Sequence, residues 1–324
     1  MYEIPTIWRT RNPGQNFEAE GEVGYANYQT EAGHVYVGGP LSDGVATGLA
    51  LSVDHQGLGW GRNVYDGTEI GRVPTDLSVR SKWLVQLSID TEMMVSLHFV
   101  EQNQVCLSCF HPYPPNSGTS FGTFPVPGPG DDDSSKLTEG KWGQADATVR
   151  LTHDFGFARL TSVSSYFNIT SDLFSFSVDP VPSAPVSVIS LVHTTQITEE
   201  LQLTSESAGP LQWQGGLYYL KAHPEVKGAV AVQSTGDLPL GSGTDVSSYA
   251  AYAQATYAFT DKDKFTLEAK VTREEDELVP NPLIVDGTGG QHSLVSNTPV
   301  GSSVHKRSWC VRLGDTRLQT RGIQ

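Results

Sequence analysis

The pair Cys106-Leu-Ser-Cys109 has the spacing of a redox couple or of half a zinc site. No second pair follows, Cys310 stands far away, and neither a helix start nor basic neighbours are present to lower a thiol pKa. In an oxidising setting Cys106 and Cys109 read as a disulfide stapling a loop base, or as two incidental thiols. Asp131-Asp132-Asp133 follows Pro127-Gly-Pro-Gly130 and offers hard carboxylate oxygens suited to calcium. It lacks the spaced ligands of a calcium loop, and a charge run in a Gly/Pro loop is usually solvated. The 9 His are scattered, with no pair at metal-ligand spacing on one element. Only His98 is interleaved in a strong strand pattern. Glu199-Glu200 and Glu274-Glu275-Asp276 are paired carboxylates that nothing places across a cleft. No nucleophile-elbow, dinucleotide, phosphate-loop or zinc-protease arrangement supports catalysis. The expectation is a protein with no catalytic residues, no metal site and no cofactor. Trp60, Arg62 and Tyr65 remain as ligand-binding candidates, because aromatics and Arg at a loop mouth can stack on and pair with an anionic chelate or a sugar. Against that, the segment GWGRNVYDG (residues 59–67) reads as a turn-forming loop base whose aromatics only anchor it.

Whatever positions these side chains is built from strands. Apolar residues recur with period two at Val45, Thr47, Leu49, Leu51 and Val53, and at Leu77, Val79, Trp83 and Val85. The same holds for Met93, Val95, Leu97 and Phe99, for Leu211, Trp213, Leu217 and Tyr219, and for Phe265, Leu267, Ala269 and Val271. Tyr249–Phe259 alternates as well. Intervening positions are polar or small: Arg80, Lys82, Gln212, Gln214, Gln254, Lys264, Glu268 and Lys270. No segment sustains a helical period, so the chain is all-β.

Composition narrows the class. With 36 acidic against 21 basic residues the net charge is -15, which argues against binding a phosphate backbone, and no nucleic acid partner is expected. No run approaches the roughly 18 consecutive apolar residues of a membrane helix. Three Cys exclude a disulfide scaffold, and 33 Gly with 19 Pro fall short of low-complexity disorder. The first residues show no secretion signal.

Connections sort by length. Short ones at residues 39–44, 87–91, 153–156, 207–210 and 260–263 are rich in Gly, Pro, Asp or Ser. Long ones occupy residues 56–75, 101–146, 171–195, 222–246 and 277 onward. A compact domain rarely carries several loops beyond about 12–15 residues. Short turns at one end and long loops at the other fit a transmembrane β-barrel, whose closed sheet pairs every backbone group in hydrocarbon. The polar faces would then line a wet lumen, and Tyr25, Tyr28, Tyr257 and Phe259 would sit at headgroup level. The expected architecture is an antiparallel up-and-down meander forming about half of such a barrel, with roughly eleven strands and a twelfth near residues 308–313.

Residues 11–28 (RNPGQNFEAEGEVGYANY), 39–43 (GPLSD), 57–67 (GLGWGRNVYDG) and 77–83 (LSVRSKW) follow one another in an order that is informative. So do residues 160–166 (LTSVSSY), 198–203 (TEELQL), 215–219 (GGLYY), 249–259 and 271–276 (VTREED). Together they resemble the barrel of TonB-dependent outer-membrane receptors, from the plug exit onward, over roughly residues 10 to 313. The resemblance implies active uptake of a scarce ligand, most often an iron–siderophore complex, across the bacterial outer membrane. It implies outer-membrane lipid, a TonB-type energising partner and a small-molecule ligand such as a ferric siderophore as partners. The family's coupling box and plug are not seen, and only about half of the plugged-class strands are present.

The expected organisation is therefore a residual plug end or linker at residues 1–15, a partial β-barrel at 16–313, and an irregular basic tail at 314–324. Residues 304–324 carry Lys306, Arg307, Arg312, Arg317 and Arg321 against Asp315 alone, a composition that reads as an out-of-frame end or a genuine basic tail. The alternative function is a soluble secreted or periplasmic β-rich module binding carbohydrate.

Overall fold

The computed structural model describes residues 11–105, 118–119, 122–123, 131, 139–177, 186–232, 236–260, 263–279 and 303–315. The expected twelfth strand is present. Twelve strands form one sheet in chain order, each antiparallel to the next. They are β1 (Glu18–Ala26), β2 (Thr30–Ser42), β3 (Val45–Gln56), β6 (Arg72–Ser88), β7 (Thr91–Val105) and β10 (Glu139–Asp154). The remaining six are β11 (Ala158–Ser177), β12 (Val186–Ser205), β13 (Leu211–Val232), β14 (Gly236–Ala258), β15 (Lys264–Val279) and β16 (Ser303–Asp315). Two small hairpins stand apart in the long loops, β4 (Gly61–Arg62) with β5 (Glu69–Ile70), and β8 (Gly118–Thr119) with β9 (Gly122–Thr123). The sheet is an open meander with β1 and β16 at its edges, the partial barrel that the alternation and loop sorting imply.

Register turns the period-two pattern into two faces. Leu49 lies opposite Val37 and Ser81, Leu51 opposite Val35 and Val79, and Phe99 opposite Val79 and Ala145. The same face continues through Val149, Tyr166, Ile197, Leu201, Leu217 and Tyr249 to Leu267. These side chains are exposed, whereas the buried apolar ones among the described residues are Ala46, Ile70, Met94 and Ala158. A sandwich of this size in water would bury such a face against a second layer. Here no second layer covers it among the described residues.

The short-turn end carries aromatics. Phe155, Phe157, Tyr257, Phe259 and Phe265 are all exposed there. Tyr257 and Phe259 pack edge to face at 4.9 Å, and Phe155 lies 6.1 Å from Phe157. Such a belt matches the interfacial girdle of a membrane barrel. Gly44 closes the turn between β2 and β3 at φ 75°, a conformation that costs a side-chain-bearing residue about 1–2 kcal/mol.

Strand length departs from expectation. β13 has 22 residues and β14 has 23, well beyond the roughly 9–11 needed to cross a bilayer. Residues 171–195 and 222–246, read as loops from hydropathy, are largely continuations of β11–β12 and β13–β14. Ala229 faces Pro239 and Val232 faces Gly236. Alternation fades there while the hydrogen-bonded ladder continues, because backbone pairing needs no apolar side chain. The connection at the same end between β1 and β2 is also short, a single turn at Asn27–Gln29 with Tyr28 and Gln29 at positive φ.

Candidate functional site

Trp60, Arg62 and Tyr65 lie on the loop joining β3 to β6, around the β4–β5 hairpin. The loop is seated on its neighbours. Gly57 N donates to Gln29 O at 3.1 Å, Leu58 N to Tyr28 O at 2.9 Å, and Gly71 N to Val105 O at 3.0 Å. Within it Ile70 and Asn63 are fully buried, and Asn63 Oδ1 accepts from Tyr65 N at 2.9 Å. Trp60 lies against Gly71, which has φ 70°; a Cβ there would sit 2.1 Å from the indole. The Trp60 ring is therefore engaged in holding the loop. Arg62 Nε donates to Gly67 O at 3.4 Å, and its backbone N to Asp131 Oδ1 at 3.2 Å. Asp66 accepts from the Thr68 N–H at 2.8 Å, and that bond holds its carboxyl below the usual carboxylate range. Tyr65 is exposed. The structure thus brings the three candidates onto one loop with all three exposed, Trp60 and Arg62 making anchoring contacts and Tyr65 the more open of the two aromatics.

Cys106 and Cys109 lie outside the described residues, as do Asp132 and Asp133. Asp131 is described, and its carboxylate caps the Arg62 backbone. Among the described residues no group of His, Cys, Asp or Glu is placed to hold a metal ion. Residues 118–122 (GTSFG) have the Gly-x-Ser-x-Gly spacing, but the flanking dipeptides pair as the β8–β9 hairpin, not as a strand-to-helix elbow.

The concave face holds most of the polar organisation. His98 Nδ1 lies 2.9 Å from Asp146 Oδ1 and its Nε2 lies 3.2 Å from Ser78 Oγ, while Gln144 Nε2 donates to the same Asp146 oxygen at 2.9 Å. Gln102 bridges two strands, donating to Asp76 at 2.6 Å and accepting from Trp142 Nε1 at 2.8 Å. Tyr252 donates to Glu200 at 2.7 Å, and Gln214 to Gln254 at 2.9 Å. Arg80, Lys82 and Arg150 occupy the same face, and Lys82 Nζ donates to Asn12 Oδ1 at 2.9 Å. Arg11 bonds Glu18 at 3.1 Å and Glu20 at 2.8 Å, with its guanidinium 5.3 Å from the Tyr36 ring centre. The residues before β1 therefore turn into the concavity. Beside them a cleft of about 500 Å³ is lined by Glu20, His34, Tyr36, Ser52, Ser78 and Arg80.

Period two places the strand residues among these on the polar face, but pairs such as Ser78–His98, His98–Asp146 and Asn12–Lys82 lie 20 to 70 positions apart in sequence. Only the register makes them neighbours, so His98 was visible from the sequence while its partners Ser78 and Asp146 were not.

No protein-family model matches the chain, and no curated protein sequence matches it. Its fold, in contrast, matches solved structures of outer-membrane receptors. The ferric yersiniabactin uptake receptor FyuA of Yersinia pestis is 15% identical with a TM-score of 0.65, covering 95% of this chain and 44% of that one. The ferric-catecholate import receptor Fiu of E. coli K12 is 13% identical with a TM-score of 0.61, covering 95% and 48%. The ferripyoverdine receptor of the Pseudomonas aeruginosa outer membrane is 12% identical with a TM-score of 0.63, covering 84% and 39%. The chain spans less than half the length of these receptors, and its fold is that of part of their barrel. The first is an uptake receptor, the second an import receptor and the third a receptor bound to its ferripyoverdine.

Proposed function

We propose that the chain is a barrel portion of a TonB-dependent receptor of the bacterial outer membrane, serving active uptake of a ferric siderophore. The observation that carries this is the pairing of an exposed apolar, aromatic-belted face with a polar, hydrogen-bonded concave face on a sheet of the receptors' topology. A lipid-facing outside and a wet inside are what a transport barrel requires.

In this reading residues 1–15 are the end of a plug or linker, since Arg11 and Asn12 bond side chains of the concave face. Residues 16–313 are the partial barrel. An energising inner-membrane partner would act through the plug of the complete receptor, and lipid would cover the convex face. Trp60, Arg62 and Tyr65 sit at the long-loop end, where a ligand from outside arrives first, and Tyr65 is free in geometry to stack on it. Passage of a ligand requires no covalent chemistry from the barrel. The soluble carbohydrate-binding alternative finds no support, because a module in water would not leave Leu49, Leu201 and Phe265 uncovered.

The test is genetic. Disrupting the gene in its own host under iron limitation should abolish growth on one ferric siderophore while other iron sources still serve. Unchanged uptake of every siderophore the host uses would refute the assignment.

A further inference from the structure

We propose that Ser78, His98 and Asp146 form an acyl-transfer site on the concave face, with Ser78 as nucleophile toward carboxylic esters. The three residues come from β6, β7 and β10, adjacent strands of one sheet, and all occupy even positions of the same face. Arg80 lies directly opposite His98, and His98 directly opposite Asp146, with Ser78 one diagonal step away. The contacts run in the order that general-base activation needs: Ser78 Oγ to His98 Nε2 at 3.2 Å, and His98 Nδ1 to Asp146 Oδ1 at 2.9 Å.

The tautomer follows from the donors present. An ionised carboxylate only accepts, so the proton of neutral imidazole belongs on Nδ1, facing Asp146. Nε2 then carries the lone pair and accepts the Ser78 hydroxyl proton. Gln144 donates to the same Asp146 oxygen at 2.9 Å and fixes the carboxylate that orients the ring. The side chains of His98 and Asp146 are 12% and 24% exposed, so the pair is shielded while Ser78 borders the 500 Å³ cleft. That size suits a small organic ester.

The chemistry closes. Ser78 Oγ attacks the ester carbonyl carbon as its proton passes to His98 Nε2, giving a tetrahedral oxyanion. Collapse breaks the bond to the alcohol oxygen, which leaves with the proton from Nε2, and Ser78 holds the acyl group. Water, deprotonated by the same nitrogen, releases the carboxylic acid and restores the serine. Backbone N–H groups of β6 are committed to the ladder with β3 and β7, so a side chain must stabilise the oxyanion. Arg80, on the same face two residues from Ser78, is the cation placed for it. This activity goes beyond the uptake reading and does not depend on it: a barrel without siderophore transport could still acylate Ser78.

The test uses the full chain in detergent micelles, its sheet first verified by far-ultraviolet circular dichroism. A fluorophosphonate probe and p-nitrophenyl acetate are the reagents. Expected results are covalent labelling mapped to Ser78, with hydrolysis lowered at least about 100-fold in Ser78→Ala and His98→Gln. Asp146→Asn should act similarly, since an amide would donate to Nδ1 and move the proton to Nε2. The near-isosteric variant Ser78→Cys gives a second readout: its alkylation by iodoacetamide should slow about tenfold or more when His98→Gln is added. Wild-type chain labelled no faster than Ser78→Ala, or a Ser78→Cys thiol indifferent to His98, would overturn the proposal and leave the three residues as a structural hydrogen-bond network.

Discussion

Leu201 and Gln202 are neighbours on β12 that face opposite ways, and they test which solvent each face meets. Leu201 lies opposite Ser162 and Leu217 on the convex side, and Gln202 opposite Thr161 and Gly216 on the concave side. Leu201 is 44% exposed, so in water its replacement by Arg removes little packing and should change stability by no more than about 0.5 kcal/mol. Leu201 is four residues from the short-turn end of β12 at Ser205. At about 3.3 Å per residue and a tilt near 40°, it stands roughly 10 Å into an apolar band about 25 Å tall. Near the midplane an Arg on the lipid face costs about 2–4 kcal/mol. Gln202→Arg, one residue along but facing a wet lumen, should stay within about 0.5 kcal/mol. With a urea slope of about 1–3 kcal/mol per molar, Leu201→Arg should lower the unfolding midpoint by roughly 0.7–4 M. The assay is urea unfolding of the chain in phospholipid bilayers, followed by tryptophan emission and by heat-dependent mobility. If Leu201→Arg is as mild as Gln202→Arg, the convex face does not lie in hydrocarbon and the membrane reading falls.

Gly71→Ala places a methyl 2.1 Å from the Trp60 ring at a φ of 70°, so the loop should lose its seat on Gly71; faster proteolysis between residues 57 and 71 and a red-shifted Trp60 emission would register this, and unchanged protection would contradict it. The Asp66 carboxyl has its pKa lowered below 3.8, chiefly by the Thr68 backbone N–H, so its contribution to the turn is present at neutral pH and is lost as pH falls through the depressed value. Thr68 amide protection should therefore outlast the ordinary carboxylate range as pH falls and be lost only below it, and Asp66→Ala should erase that pH dependence. Tyr252→Phe leaves Glu200 without a donor now 2.7 Å away in a half-buried site, at an expected cost of about 1–3 kcal/mol by urea unfolding, with Glu200→Gln costing less because an amide still accepts the phenol.

The sequence alone determined the class of the fold and the side of the sheet on which each strand residue lies. Side chains alternate strictly with backbone direction, so Leu49, Leu51 and Val53 had to share a face, and Arg80 and Lys82 the other. Turn residues such as Asp43-Gly44 located the short connections for an equally local reason, since Gly adopts the φ of 75° found at Gly44 without the steric cost a Cβ would add. Loop length then separated the two ends of the barrel. Strand length was not legible where hydropathy stops varying: β13 and β14 run on through residues 222–246 because backbone pairing needs no apolar side chain. The role of Trp60 depended equally on tertiary structure, since the left-handed Gly71 that receives its ring lies eleven residues away across a hairpin. Most of all, the concave network was decided by register. Ser78, His98 and Asp146 carry no local signature, and a slip of one residue would have turned each to the convex face. Antiparallel pairing from β6 through β10 is what sets a hydroxyl, an imidazole and a carboxylate side by side, because neighbouring strands lie about 4.8 Å apart however far apart they are in sequence.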